Sequence, residues 1–124
     1  MATFQLPAAI ATQLPLEAKI IEITCTPGDD LNFSFSAPVD MTGWAMKFEV
    51  WLSNDDGDGP TGDALASLTG SPGLVLTPGA TSTIAIKVAA EITADRRGVI
   101  LWCRLQRTDT GSVRTFAKGQ ILPA

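Results

Sequence analysis

The residues of this chain that could do chemistry are few and poorly matched to one another. The sequence contains no His, so the commonest general base near neutral pH and the commonest metal ligand are both missing. Carboxylates remain. Asp29-Asp30 and Asp55-Asp56 are adjacent pairs, and two carboxylates can divide acid and base work between them. Neighbouring acids in a turn are more usually solvated turn formers. Cys25 and Cys103 lie far apart and, without His, do not make a zinc site. The run Asn54-Asp55-Asp56-Gly57-Asp58-Gly59 places Asn54, Asp56 and Asp58 at the first, third and fifth positions of a calcium loop and Gly59 at the sixth. Its twelfth position is Leu65, where a bidentate Glu is required. No Gly-rich phosphate loop opens onto a helix. These residues predict no catalytic centre, no cofactor and no metal site. The polar stretch 53–63, with Gly57, Gly59 and Gly62, is expected to be the most mobile internal loop and to be independent of calcium.

Recognition by aromatic stacking is the remaining candidate chemistry. Trp51 and Trp102 fall on the faces opposite the main apolar stripes of their strands. Three readings follow: a subunit interface, where aromatics are enriched; a platform on which a sugar stacks; or strands buried on both faces. No polar cluster accompanies the pair, which favours the interface over a glycan site.

The elements that must position these residues are strands. Lys19 to Thr24 is rich in β-branched residues. Leu31 to Ser36 alternates strictly, with Leu31, Phe33 and Phe35 on one face. Trp44 to Leu52 alternates as well, with Trp44, Met46, Phe48, Val50 and Leu52 inward. Weaker strands are expected at 64–68 and 74–76, and stronger ones at 83–88, 99–106 and 113–118, with a last extension at 120–122. Ala89 to Asp95 has room for one helical turn. Pro27-Gly28-Asp29-Asp30, Gly70-Ser71-Pro72-Gly73, Pro78-Gly79 and Asp109-Thr110-Gly111 punctuate the series as turns. About seven or eight short strands at this spacing predict an all-β antiparallel sandwich or barrel, of which the sandwich is preferred. No segment holds a helical period long enough for a βαβ unit.

At 124 residues the chain is one domain, large enough to bury a core without staples. Charged residues make up only 18%, so much of the surface is neutral and suited to contact. The net charge is −4, and no basic run offers itself to nucleic acid. Residues 1–63 carry ten acids against two bases, and residues 64–124 carry seven bases against three acids. If these poles survive folding, they favour head-to-tail contacts. No apolar run reaches the length of a bilayer span, and the first 18 residues lack the basic start of an export signal. Synthesis in a reducing cytoplasm is therefore expected, with Cys25 and Cys103 as free thiols. The order Cys25, Trp44, Cys103 loosely echoes the Cys…Trp…Cys of immunoglobulin domains, without their tyrosine corner.

Residues 1–18 differ from the rest. They hold Phe4, Leu6, Ile10, Leu14 and Leu16 with a single charge, Glu17, and two prolines, Pro7 and Pro15. A frayed terminus is one reading. The other, preferred because exposed apolar groups usually have a partner, is an extended arm outside a sandwich of residues 19–124. In that reading Phe4, Leu6, Ile10, Leu14 and Leu16 join Trp51 and Trp102 as interface residues.

The run PGDDLNFSFSAPVDMTGWAMKFEVW, Pro27 to Trp51, resembles small phage virion domains of the type found at the N-terminus of baseplate upper proteins. The resemblance rests on a Gly-Asp turn, an alternating strand, and the step Asp40-Met41-Thr42-Gly43-Trp44 into a long strand. The stretches Ile84 to Val88, Glu91-Ile92-Thr93, Gly98 to Arg107 and Asp109-Thr110-Gly111 are similar to the family's second half. This resemblance implies an immunoglobulin-like sandwich that serves, without enzymatic activity, as an assembly or adaptor module of the tail, baseplate or fibre. The expected partners are other virion proteins and further copies of the chain, with no nucleic acid and no membrane. The short C-terminal end and the apolar start also fit a stand-alone component, such as a capsid decoration protein or a fibre adaptor. A carbohydrate-binding module is the rival outside the virion.

Overall fold

The computed structural model describes residues 2–11, 18–57, 59–109 and 113–124. They form two mixed sheets packed as an all-β sandwich. In chain order the strands are β1 (Ala2–Gln5), β2 (Lys19–Cys25), β3 (Leu31–Ala37), β4 (Met46–Ser53), β5 (Pro60–Leu68), β6 (Leu74–Thr77), β7 (Ser82–Val88), β8 (Leu101–Arg107) and β9 (Arg114–Pro123), with one helical turn, α1 (Ala90–Thr93). One sheet has the order β1-β3-β7-β6 and the other β2-β9-β8-β4-β5.

Alternation explains why these segments are strands and which way they face. Phe33 and Phe35 of β3 point inward and meet Phe48 of β4 across the sandwich, with ring centroids 5.5 and 6.3 Å apart. Val50, Ile84, Ile86, Leu101, Leu105, Phe116 and Ile121 complete a continuous core. Two buried hydroxyls pin its ends. Ser82 donates to the Val39 carbonyl (2.6 Å) and accepts from the Met41 amide (3.0 Å), which holds the β3–β4 crossing. Thr93 accepts from the Gly28 amide (3.2 Å) and donates to the Ala90 carbonyl (3.2 Å), tying α1 to the β2–β3 turn. Satisfying such groups is what makes their burial tolerable.

The structure departs from the sequence expectations in five places: the expected antiparallel sandwich is mixed, because β1 pairs with β3 and β2 with β9 in parallel, and four segments differ. The N-terminal segment does not stand away from the sandwich over its described part. β1 pairs in parallel with β3, from Ala2 opposite Phe33 to Gln5 opposite Ser36, and a 3-10 turn (Ala8–Ala11) follows. Leu6 and Ile10 are fully buried in this protomer's own core, and Phe4 packs on Phe33 and Phe35 at 6.0 and 5.7 Å. Without that segment the edge of β3 would leave its phenylalanines open to water. Leu14 and Leu16 lie outside the described residues.

The polar stretch 53–63 is shorter as a loop, because β5 already begins at Pro60. Asn54 closes it by donating its amide to the Gly59 carbonyl (2.8 Å), and Gln120 Nε2 donates to the Gly57 carbonyl (2.5 Å). Trp44 precedes β4 instead of opening it. The two segments expected at 113–118 and 120–122 are one strand, β9, which runs through Gly119. Thr110 and Gly111 of the expected hairpin turn lie outside the described residues.

Candidate functional site

The carboxylates do not converge. Asp30 Oδ1 accepts the Ala90 amide (2.9 Å) and Oδ2 pairs with Lys87 (3.4 Å), so this residue of the Asp29-Asp30 pair holds α1 in place. Asp55 and Asp56 are exposed in the β4–β5 loop. Asp58, the third acid of the calcium-like run, lies outside the described residues. Among the described residues no group of three or more His, Cys, Asp or Glu side chains gathers where it could hold a metal.

Asp40 accepts both the amide (3.0 Å) and the hydroxyl (2.6 Å) of Thr42. The hydroxyl bond first, then the amide bond, holds its pKa below the ordinary value. Gly43 takes φ +80°, a conformation open to glycine and costly for most residues, and Trp44 donates its amide to the Met41 carbonyl (3.1 Å). This corner seats Trp44 between Phe116, 6.0 Å away, and the Arg107 guanidinium, 3.7 Å from the ring. Arg107 is fixed in turn by a two-pronged bond to Asp109 (2.8 and 3.2 Å), which draws the Asp109 carboxyl down to about 2. The sequence pattern gave no sign of the Arg107 stack, because its partners come from three separate segments.

Trp51 and Trp102 are direct cross-strand partners on the outer face of the five-stranded sheet. They thus sit together on the face expected for them. Each is only 9% exposed within the protomer. The Arg104 guanidinium lies 4.8 Å over the Trp51 ring, and Arg104 also pairs with Glu49 (3.3 Å), which meets Lys47 (3.4 Å). Arg104 Nε is buried with no hydrogen-bond partner. Rings covered to this degree match strands buried on both faces, and they leave no open ring face on which a sugar could stack. Between β5, the turn after it and the end of β7, an open groove of about 610 Å³ runs past Leu65, Leu68, Pro72, Lys87 and Ile92. Asp30 and Glu91 line it as well, and Asp30 is held by Lys87 and the Ala90 amide.

Both cysteines are free. Cys103 on β8 and Cys25 on β2 are separated by β9. Cys103 lies opposite Gly119, whereas Cys25 lies opposite Pro123, four residues further along β9. Strand spacings put their Cα atoms roughly 16 Å apart, beyond the ~7 Å limit for a bridge. The immunoglobulin-type Cys…Trp…Cys arrangement is therefore not built here: both thiols belong to one sheet, and Trp44 packs elsewhere. Burial pushes the Cys103 thiol up to about 12 and also raises Cys25. We expect a thiol reagent to modify Cys25 slowly at neutral pH and to reach Cys103 only in denaturant. Two fast-reacting thiols in the native protein would contradict this placement.

No protein-family model matches the sequence, and no curated protein matches it significantly. Among solved structures, the N-terminal domain of phage TP901-1 ORF48 aligns over 99% of this chain and 98% of its own length, at 9% identity and a TM-score of 0.45.

Proposed function

We infer that this protein is a non-enzymatic structural component of a phage virion, acting as an assembly or adaptor module of the tail, baseplate or fibre. The observation that carries this reading is the corner Asp40–Trp44. One of the steps on which the sequence resemblance rests forms a single structural unit, with Asp40 capping Thr42, Gly43 at positive φ and Trp44 locked under Arg107. Its role is to fix how β3 crosses to β4, as expected of a fold-specifying motif and not of a reaction centre.

The strand order supports the same reading. Taking β3 as strand B, the two sheets read B-E-D and G-F-C-C′, the order of an immunoglobulin-like sandwich. β2 adds in parallel beside the strand in the G position. The dispersal of the carboxylates weighs against hydrolytic chemistry, and the covered indoles weigh against a carbohydrate-binding module. The decisive experiment is quantitative mass spectrometry of purified particles from the phage that encodes the chain, with antibody labelling to locate it. A fixed copy number per particle is expected, and a label on the head would make it a decoration protein. Absence from purified particles would overturn the proposal.

A further inference from the structure

The fold sorts charge along the strand axis. One end of the sandwich is built from the 26–30 turn, the described part of the 54–59 loop and residues 87–97. It carries six carboxylates (Asp29, Asp30, Asp55, Asp56, Glu91 and Asp95) against Lys87, Arg96 and Arg97. Lys87 is already engaged by Asp30. Arg96 donates to the Ile92 carbonyl and Arg97 to the Ala124 carbonyl. Asp29, Asp55, Asp56, Glu91 and Asp95 have no ion pair among the described residues.

The other end holds the β3–β4 corner, the first residues of β2 and β4, and the described residues at the end of β8 and the start of β9. It carries Lys19, Lys47, Arg107 and Arg114 against Asp40 and Asp109; of these, Lys47 pairs with Glu49, Arg107 with Asp109, and Arg114 donates to the Ile10 carbonyl. The strands between the ends add Arg104 and Lys118 against Glu49 and Glu22. Each end also has an apolar centre. Leu52, Val99 and Ile100, exposed by 37%, 39% and 39%, cluster at the acidic end, where the Ser53 amide bonds the Ile100 carbonyl. Val113, 61% exposed, stands at the basic end beside Arg114. An apolar centre within a charged rim is the anatomy of a protein interface.

We propose that copies of this chain associate head to tail, the basic end of one copy seating on the acidic end of the next around Val113 and the Leu52–Val99–Ile100 cluster. This deepens the structural-module reading by naming its partner as a second copy of the chain. The two ends differ, so the contact is heterologous and propagates into a ring or a stack instead of closing as a two-fold dimer. Opposite fields at the two ends steer the approach and exclude the head-to-head arrangement.

Light scattering of the full chain at low ionic strength should give a mass at least twice that of the protomer. It should return to the protomer mass near 1 M salt, where the screening length falls to about 3 Å. The variants Lys19→Glu/Lys47→Glu and Asp55→Lys/Asp56→Lys should each remain monomeric, and mixing the two should restore association with the variants in equal numbers, because their ends are complementary only to one another. Melting curves confirm that each variant is folded, and Lys19→Gln/Lys47→Gln replaces the first if it is not. A chain that is monomeric at low salt, association that is indifferent to salt, or failure of the mixed variants to pair would each overturn the proposal. A monomer that is nevertheless found in purified particles would leave the structural-module reading standing.

Discussion

Replacing Gly119 by alanine should destabilise the fold by about 3 kcal/mol or more, the upper range for forcing extra volume into a packed site. Gly119 sits in the middle of β9, opposite Cys103 on β8 and Ile21 on β2. A Cβ there would fall within the Ile21 carbonyl group, 2.7 Å from its carbon and 2.9 Å from the Ile21 nitrogen. These are backbone atoms of a paired strand, so no rotamer change relieves the clash. Either β2 lifts from β9, uncovering Ile21 and Ile23, or β9 bends and the Cys103 rung is lost. A fall in melting temperature on the order of 10 °C is expected for a domain of this size. Gly70→Ala is the control, since nothing lies within 4 Å of its added Cβ. A Gly119→Ala protein that melts with the wild type would show that β2 does not approach β9 in this way.

The double variant Leu6→Ala/Ile10→Ala should lower the stability of the isolated protomer by about 5 kcal/mol, taking each truncation of a fully buried aliphatic residue at 2–5 kcal/mol. Leu6 and Ile10 are 3% and 0% exposed. Leu6 is anchored by its amide to the Ser36 carbonyl (2.7 Å), and the Ile10 carbonyl receives Arg114 Nη1 (3.3 Å). The measurement is denaturant unfolding at high salt over a range of protein concentrations. A loss independent of concentration places these side chains in the core of their own subunit. A loss that vanishes on dilution would mean that they serve intersubunit contacts, as an arm outside the sandwich would require.

Much of the architecture was legible because alternation is local. In Leu31–Ala37, Met46–Ser53 and Ser82–Val88 the side-chain period of two decides both that the segment is a strand and which face is buried. The same rule put Trp51 and Trp102 on the outer face before their pairing was known.

What the tertiary structure alone decided depends on which segments become neighbours. No local pattern distinguishes an apolar arm from an edge strand, so Leu6 and Ile10 became core, and Phe4 packed against it, only once β3 offered an open edge to pair in parallel. The single glycine that β9 needs at position 119 is set by the approach of β2, 98 residues earlier in the chain. Charge shows the difference most clearly. Along the sequence the acids crowd into the first half and the bases into the second. Folding interleaves the halves, joins Glu49 to Arg104 and Asp30 to Lys87, and re-sorts the remainder by loop. The turns at one end are rich in Asp, whereas the strand starts and the hairpin at the other carry Lys and Arg. A charge pole arises from which loops share an end of the sandwich, and topology sets that where composition cannot.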